Sequence, residues 1–207
     1  TIWYLYRDNL LPQNTKFIGY ARTKQTVAET REKCKKFMKV KPEEKELLEK
    51  FWEQNDYIAG SYDKRVDFEL LNQQIGKHEK GPVANRVFYL AVTPNVFETA
   101  TVNIRNSCVA LKGYTRVIIE KPFGRDDESS EKLSNHLAKL FNEEQLYRID
   151  HYLGKEMVQN LMTIRFANKI FCPSWNRENI ASVLISFKEP FGTEGRGGYF
   201  NDFGIVR

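Results

Sequence analysis

Residues 87–92 read Val87-Phe88-Tyr89-Leu90-Ala91-Val92, and no charged residue interrupts them. An apolar run this short, without polar alternation, predicts a strand covered on both faces. Downstream, Pro94 to Cys108 reads as a helix, Val117-Ile118-Ile119 as a second buried strand, Ser129 to Phe141 as a helix, and Leu146-Tyr147-Arg148-Ile149 as a closing strand. Upstream the same alternation holds. Residues 2–8 read as a helix ended by Leu10, Leu11 and Pro12, and Phe17-Ile18-Gly19-Tyr20 reads as a strand. Thr26 and Glu29 have the spacing of a capping box, which predicts a helix through about Met38. Pro42 opens a helical run with Leu47, Leu48, Phe51 and Trp52. A short strand at Tyr57-Ile58-Ala59 and a helix from about Val66 to Ile75 follow it. Strands alternating with helices predict an α/β fold with a mostly parallel, doubly wound sheet.

Such a sheet takes its ligands beyond the carboxyl ends of its strands. Two charged runs lie at such ends: Glu120-Lys121-Pro122-Phe123-Gly124-Arg125-Asp126 and Arg148-Ile149-Asp150-His151-Tyr152-Leu153-Gly154-Lys155-Glu156. The second run places an acid, an imidazole, a phenol and an ammonium close together, a set able to hold a phosphate group and fix a sugar hydroxyl beside it. Lys155, near the start of a helix, adds backbone N–H groups that favour an anion. Asp150 and His151 are sequence neighbours in extended chain, so their side chains point to opposite faces and Asp150 does not orient His151 as a base. Pro122 restricts Lys121 to extended backbone, with the peptide between them either cis or trans.

Composition bounds the function. The net charge of +5 is a small excess of 32 bases over 27 acids, which suits anionic substrates or simply a solvated surface. The chain has no uninterrupted basic block, which argues against nucleic acid, and no apolar run long enough to cross a bilayer. Cys34, Cys108 and Cys172 lie far apart without the spacing of a metal or redox motif, as expected of reduced thiols in a cytoplasmic protein. The opening helix has no strand or glycine-rich turn before it, so the chain reads as starting inside a βα unit. From Lys155 the texture changes. A long helix from Glu156 to Phe171, an alternating strand around Ala181 to Phe187 and a flexible loop over Gly192–Gly198 read as the start of an α+β domain built on an antiparallel sheet, cut off early. The expected division is 1–150 and 151–207.

With these two runs in view, the chain resembles the glucose-6-phosphate dehydrogenase family, in its eukaryotic form. The resemblance extends through Asn85-Arg86-Val87-Phe88-Tyr89-Leu90-Ala91, Glu156-Met157-Val158-Gln159-Asn160-Leu161 and Phe187-Lys188-Glu189-Pro190-Phe191-Gly192-Thr193-Glu194-Gly195. It implies a Rossmann-like NADP-binding domain over 1–150 that lacks its first strand, followed by the start of a substrate and dimerisation domain. It implies NADP-dependent oxidation of glucose 6-phosphate at C1 to the 6-phosphogluconolactone, the first step of the oxidative pentose phosphate pathway. It further implies a cytosolic homodimer or homotetramer that uses no metal. By resemblance His151, Tyr152 and Lys155 hold the phosphate, and Lys121 touches both substrate and nicotinamide. Asp150 lines the catalytic site, Glu189 binds sugar hydroxyls, and Arg22 sits by the 2′-phosphate of NADP. Position 97 is Phe where related enzymes commonly place a tyrosine near the cofactor. The family's glycine-rich turn is missing before residue 1, and its aspartate and general-base histidine lie beyond Arg207, so the chain alone is expected to have little activity.

Each assignment has a plainer alternative. His151 alone would be a surface histidine, Lys121 a solvated strand-end lysine and Glu189 a turn acid. Arg22 would be a surface arginine, although an arginine at that strand end, with Thr23 and Lys24 beside it and no acid within reach, is what selects NADP over NAD in a doubly wound fold. Phe123, Phe166 and Phe171 read as core. The rival functional reading is a non-catalytic fragment that binds the sugar phosphate without turnover.

Overall fold

The computed structural model describes residues 1–186, 188, 190 and 192–204. Helices α1 (Ile2–Arg7), α2 (Val27–Lys35) and α3 (Lys45–Glu53) accompany strands β1 (Phe17–Ala21) and β2 (Asn55–Ala59). They are followed by α4 (Arg65–His78), β3 (Arg86–Leu90), α5 (Phe97–Ser107), β4 (Thr115–Glu120), α6 (Asp127–Ala138) and β5 (Leu146–Ile149). The last helices are α7 (Glu156–Ala167) and α8 (Gly197–Phe203). The expected alternation is present, and the capping box at Thr26 forms: Glu29 N–H donates 3.1 Å to Thr26 Oγ1, and Thr26 N–H donates 2.6 Å to Glu29 Oε2.

The chain divides into two compact units, Thr1–Val87 with Asn95–Thr115, and Phe88–Pro94 with Arg116–Arg207. In the first, β1 and β2 pair in parallel with Gly19 opposite Tyr57. Its core centres on Phe51, whose ring meets those of Trp3, Tyr6, Phe17 and Trp52 at 5.3–5.5 Å. Such aromatic pairs add to the area they bury. A second layer joins Phe68 and Leu71 of α4 to Phe97, Ala100 and Ile104 of α5, all nearly closed to solvent. The Arg86 guanidinium straps this unit together, pairing through both arms with the Glu79 carboxylate and donating to the Cys108 carbonyl at 2.7 Å.

In the second unit β3, β4 and β5 form one sheet in that order. β4 and β5 run parallel, from Val117 opposite Leu146 to Glu120 opposite Ile149. Val117 and Ile119 are fully buried, with Leu137 and Phe141 from the helical side.

Four expectations change. β3 is covered on one face only: Val87 and Tyr89 are half exposed while Leu90 is buried, so apolar content overstated its burial. No strand forms over residues 181–186, where Val183, Leu184 and Ile185 are exposed; a strand needs a neighbour to complete its hydrogen bonds, and the described residues offer none. α7 buries no residue, and Phe166, read as core, is 59% exposed. Gly197 and Gly198, read as a flexible loop, open α8 instead, because Tyr199 stacks on Phe203 at 5.0 Å and Phe203 is buried.

Candidate functional site

The parallel register of β4 and β5 ends level, so the next residues, Lys121 and Asp150, leave the sheet side by side. Lys121 Nζ lies 3.4 Å from Asp150 Oδ1, with both side chains largely covered. The same carboxylate oxygen accepts the Tyr152 amide at 2.8 Å, and Asp150 therefore caps the turn that carries His151 and Tyr152. Burial opposes the Asp150 charge, but the Tyr152 amide and the Lys121 ammonium outweigh it and hold the carboxyl below its ordinary range. The Lys121–Pro122 peptide is cis. Gly124 takes a φ of +110°, which only glycine adopts readily, and its loop passes into α6 through a cap in which Ser129 N–H donates 2.8 Å to Asp126 Oδ1.

The Tyr152 ring organises the cations. Lys155 Nζ stands 4.1 Å from its centre and Lys121 Nζ 5.0 Å, and the His151 ring lies 5.3 Å from it. Two ammoniums thus gather on one phenol although 34 positions separate them in sequence, and only one has a carboxylate partner in the set. α7 begins at Glu156 with Lys155 as its N-cap residue and without a side-chain cap, leaving first-turn amides for an anion. The Gln159 amide donates 2.8 Å to the Leu153 carbonyl and ties the turn to the helix. Two ammoniums, a phenol and an exposed imidazole form a donor set of the kind that suits a phosphate dianion.

At the end of β1 in the other unit, Arg22 is exposed and its guanidinium lies 5.9 Å from the centre of the Tyr62 ring. Thr23 and Lys24 beside it are exposed too. Asp63, carried by the β2–α4 turn, is held below its ordinary range first by the Ser61 hydroxyl and its own backbone amide, then by the charges of Lys64 and Arg22. Phe97, at the head of α5, is 1% exposed and packed in the core. Glu189 lies outside the described residues.

Sequence reading missed three phenols. Tyr57 donates 2.6 Å to the Thr23 carbonyl, and Tyr20 donates 2.7 Å to the Ser61 carbonyl. Tyr89 donates to Glu120, and burial together with that carboxylate pushes its phenol up to about 12. A glycine inside each of two extended segments, Gly19 and Gly60, was the available signal for the first two, since glycine in a strand marks close approach of another group. Of the cysteines, Cys108 is fully buried, donates 3.3 Å to the Phe68 carbonyl and is pushed by burial to about 12. Among the described residues no cluster of His, Cys, Asp and Glu could hold a metal, and no helix is long and apolar enough to cross a membrane.

Residues 1–160 match the family model described as glucose-6-phosphate dehydrogenase, NAD binding domain, and residues 162–207 match its C-terminal domain. The glucose-6-phosphate 1-dehydrogenase of Ceratitis capitata is 65% identical over the whole chain, which spans 40% of that relative's length. That of Hyalophora cecropia is 72% identical over 153 residues, 74% of this chain and all of the relative. A solved structure, a glucose-6-phosphate dehydrogenase in complex with its substrate glucose-6-phosphate, superposes over all of this chain and 44% of its own with a TM-score of 0.83 and 44% identity.

Proposed function

The chain belongs to the glucose-6-phosphate dehydrogenase family, and from that premise we propose that it serves the NADP-dependent oxidation of D-glucose 6-phosphate at C1, giving 6-phosphoglucono-1,5-lactone and NADPH. The observation that carries this reading is the gathering of Lys121 and Lys155 on Tyr152, with His151 beside them. A sugar phosphate brings close to two negative charges at neutral pH, with a second pKa near about 6. Lys155, His151, Tyr152 and the first amides of α7 hold that phosphate. Lys121 reaches towards the sugar and the nicotinamide side, aimed by its pairing with Asp150, and steadies the negative charge that builds on the C1 oxygen as its proton leaves. Glu189 holds sugar hydroxyls. A bound nicotinamide would supply the hydride acceptor for C1.

The residues at the β1 end fit NADP: an exposed guanidinium, a threonine hydroxyl and an ammonium form the donor set that a phosphate monoester takes, and Arg22 makes that contact. Residues 1–150 serve the dinucleotide and 151–207 the sugar, in a cytosolic homodimer or homotetramer placed at the head of the oxidative pentose phosphate pathway. The enzyme that carries this sequence is to be assayed for nicotinamide reduction with glucose 6-phosphate or free glucose, and with NADP or NAD. Turnover is expected with the phosphorylated sugar and to favour NADP. Equal turnover of free glucose contradicts the assignment of the cradle.

A further inference from the structure

Gly19 and Tyr57 are register partners in the β1–β2 pair. A Cβ on Gly19 would stand 2.9 Å from Tyr57 Cδ2, so the absent side chain is what lets the Tyr57 ring lie across β1. The ring carries its hydroxyl past the end of the strand, where it donates 2.6 Å to the Thr23 carbonyl. On the other flank of Arg22, the Ala21 carbonyl accepts the Gly60 amide at 2.9 Å. The backbone of Arg22 is therefore pinned on both sides, by the end of the sheet ladder and by a phenol from the neighbouring strand. Burial, with Tyr62 adding to it, pushes the Tyr57 phenol up and keeps it a donor.

We propose that Tyr57 is a positioning residue for Arg22, fixing the peptide that aims its guanidinium at a phosphate ester on the ribose 2′-oxygen. The proposal rests on the reading of Arg22 as the 2′-phosphate contact. An arginine on a pinned backbone loses little freedom on taking the phosphate. Released from Tyr57, the Arg22–Lys24 segment samples arrangements of which only a fraction can bind, and apparent affinity falls by that fraction. A nucleotide without the 2′-phosphate draws nothing from Arg22 and is indifferent to the change. Tyr57 thus acts on discrimination between the two nucleotide classes.

The test measures equilibrium binding of 2′,5′-ADP and of 5′-AMP to the unaltered protein, to Tyr57→Phe and to Arg22→Ala, with the unfolding midpoint of each. Tyr57→Phe keeps the ring over Gly19 and removes only the hydroxyl. It is expected to weaken 2′,5′-ADP by about three- to tenfold, the range of one hydrogen bond, and to leave 5′-AMP unchanged. Arg22→Ala is expected to weaken 2′,5′-ADP at least as much. Undiminished 2′,5′-ADP binding by Tyr57→Phe, with a loss in Arg22→Ala, overturns the positioning role and leaves the Arg22 reading standing. An equal loss of both nucleotides in Tyr57→Phe marks a general structural role and overturns it too. If Arg22→Ala also binds 2′,5′-ADP like the unaltered protein, or the unaltered protein does not prefer it to 5′-AMP, the Arg22 reading itself falls.

Discussion

Arg22 and Lys121 each stand just past the end of a parallel strand, yet the protein holds them by different means. Arg22 is exposed, and beyond the last ladder bond, from the Gly60 amide to the Ala21 carbonyl, what steadies its segment is a side chain, the Tyr57 phenol bonded to the Thr23 carbonyl. Lys121 is largely covered, and what places it is backbone: the level register of β4 and β5, the Gly124 turn behind it, and a carboxylate capping the facing turn. The first corner is the softer scaffolding, around an exposed cation in the field of Asp63. The second is stiff scaffolding around a cation paired with Asp150.

Glycine substitutions expose that difference most strongly. A Cβ at Gly124 would meet the Ser130 backbone nitrogen at 2.6 Å in a left-handed conformation, and neither can give way cheaply. Gly124→Ala is expected to lower stability by about 2–3 kcal/mol in urea unfolding. A Cβ at Gly60 would meet the Tyr20 ring, its hydroxyl oxygen at 2.5 Å, so that a side chain packed on Phe68, rather than backbone, must shift. Gly60→Ala is expected to cost about 1 kcal/mol, chiefly the displaced phenol's hydrogen bond. A larger loss at Gly60 than at Gly124 would reverse the assignment of stiff and soft.

A smaller effect follows from the paired cation. The Asp150 carboxyl is held below its ordinary range in the folded protein, so it titrates at lower pH there than in the unfolded chain. Its contribution is present above the ordinary carboxylate pKa and is lost as the pH falls through the folded value. Asp150→Asn is expected to remove about 0.5–1 kcal/mol at neutral pH and nothing in strong acid, where both forms are neutral. Unfolding curves of the two proteins that stay equally separated at every pH would show that the pair adds no stability.

The alternation of strands and helices was legible because apolar runs and capping residues are local signals, Thr26 with Glu29 the clearest. α8 was not, since paired glycines are poor helix formers and only the packing of Tyr199, Phe203 and Arg125 rescues them. The burial of β3 was misread because apolar content does not say what covers a face. In the site, His151, Tyr152 and Lys155 could be found together because one turn carries all three. That Lys121 meets Asp150, that Tyr57 reaches Thr23 and that Asp63 comes into the field of Arg22 depend on strand register and long-range turns, which no short stretch of sequence encodes.

The phosphate cradle is tested most directly by calorimetric titration of glucose 6-phosphate into the unaltered protein and into Lys155→Ala, with free glucose as the reference ligand. Lys155 is exposed, so its removal leaves the fold intact while taking away the cation nearest Tyr152. The expected result is a loss of at least about tenfold in affinity for glucose 6-phosphate, one charge-assisted hydrogen bond's worth, with the response to free glucose unaltered. Equal affinity of the two proteins for glucose 6-phosphate would contradict it.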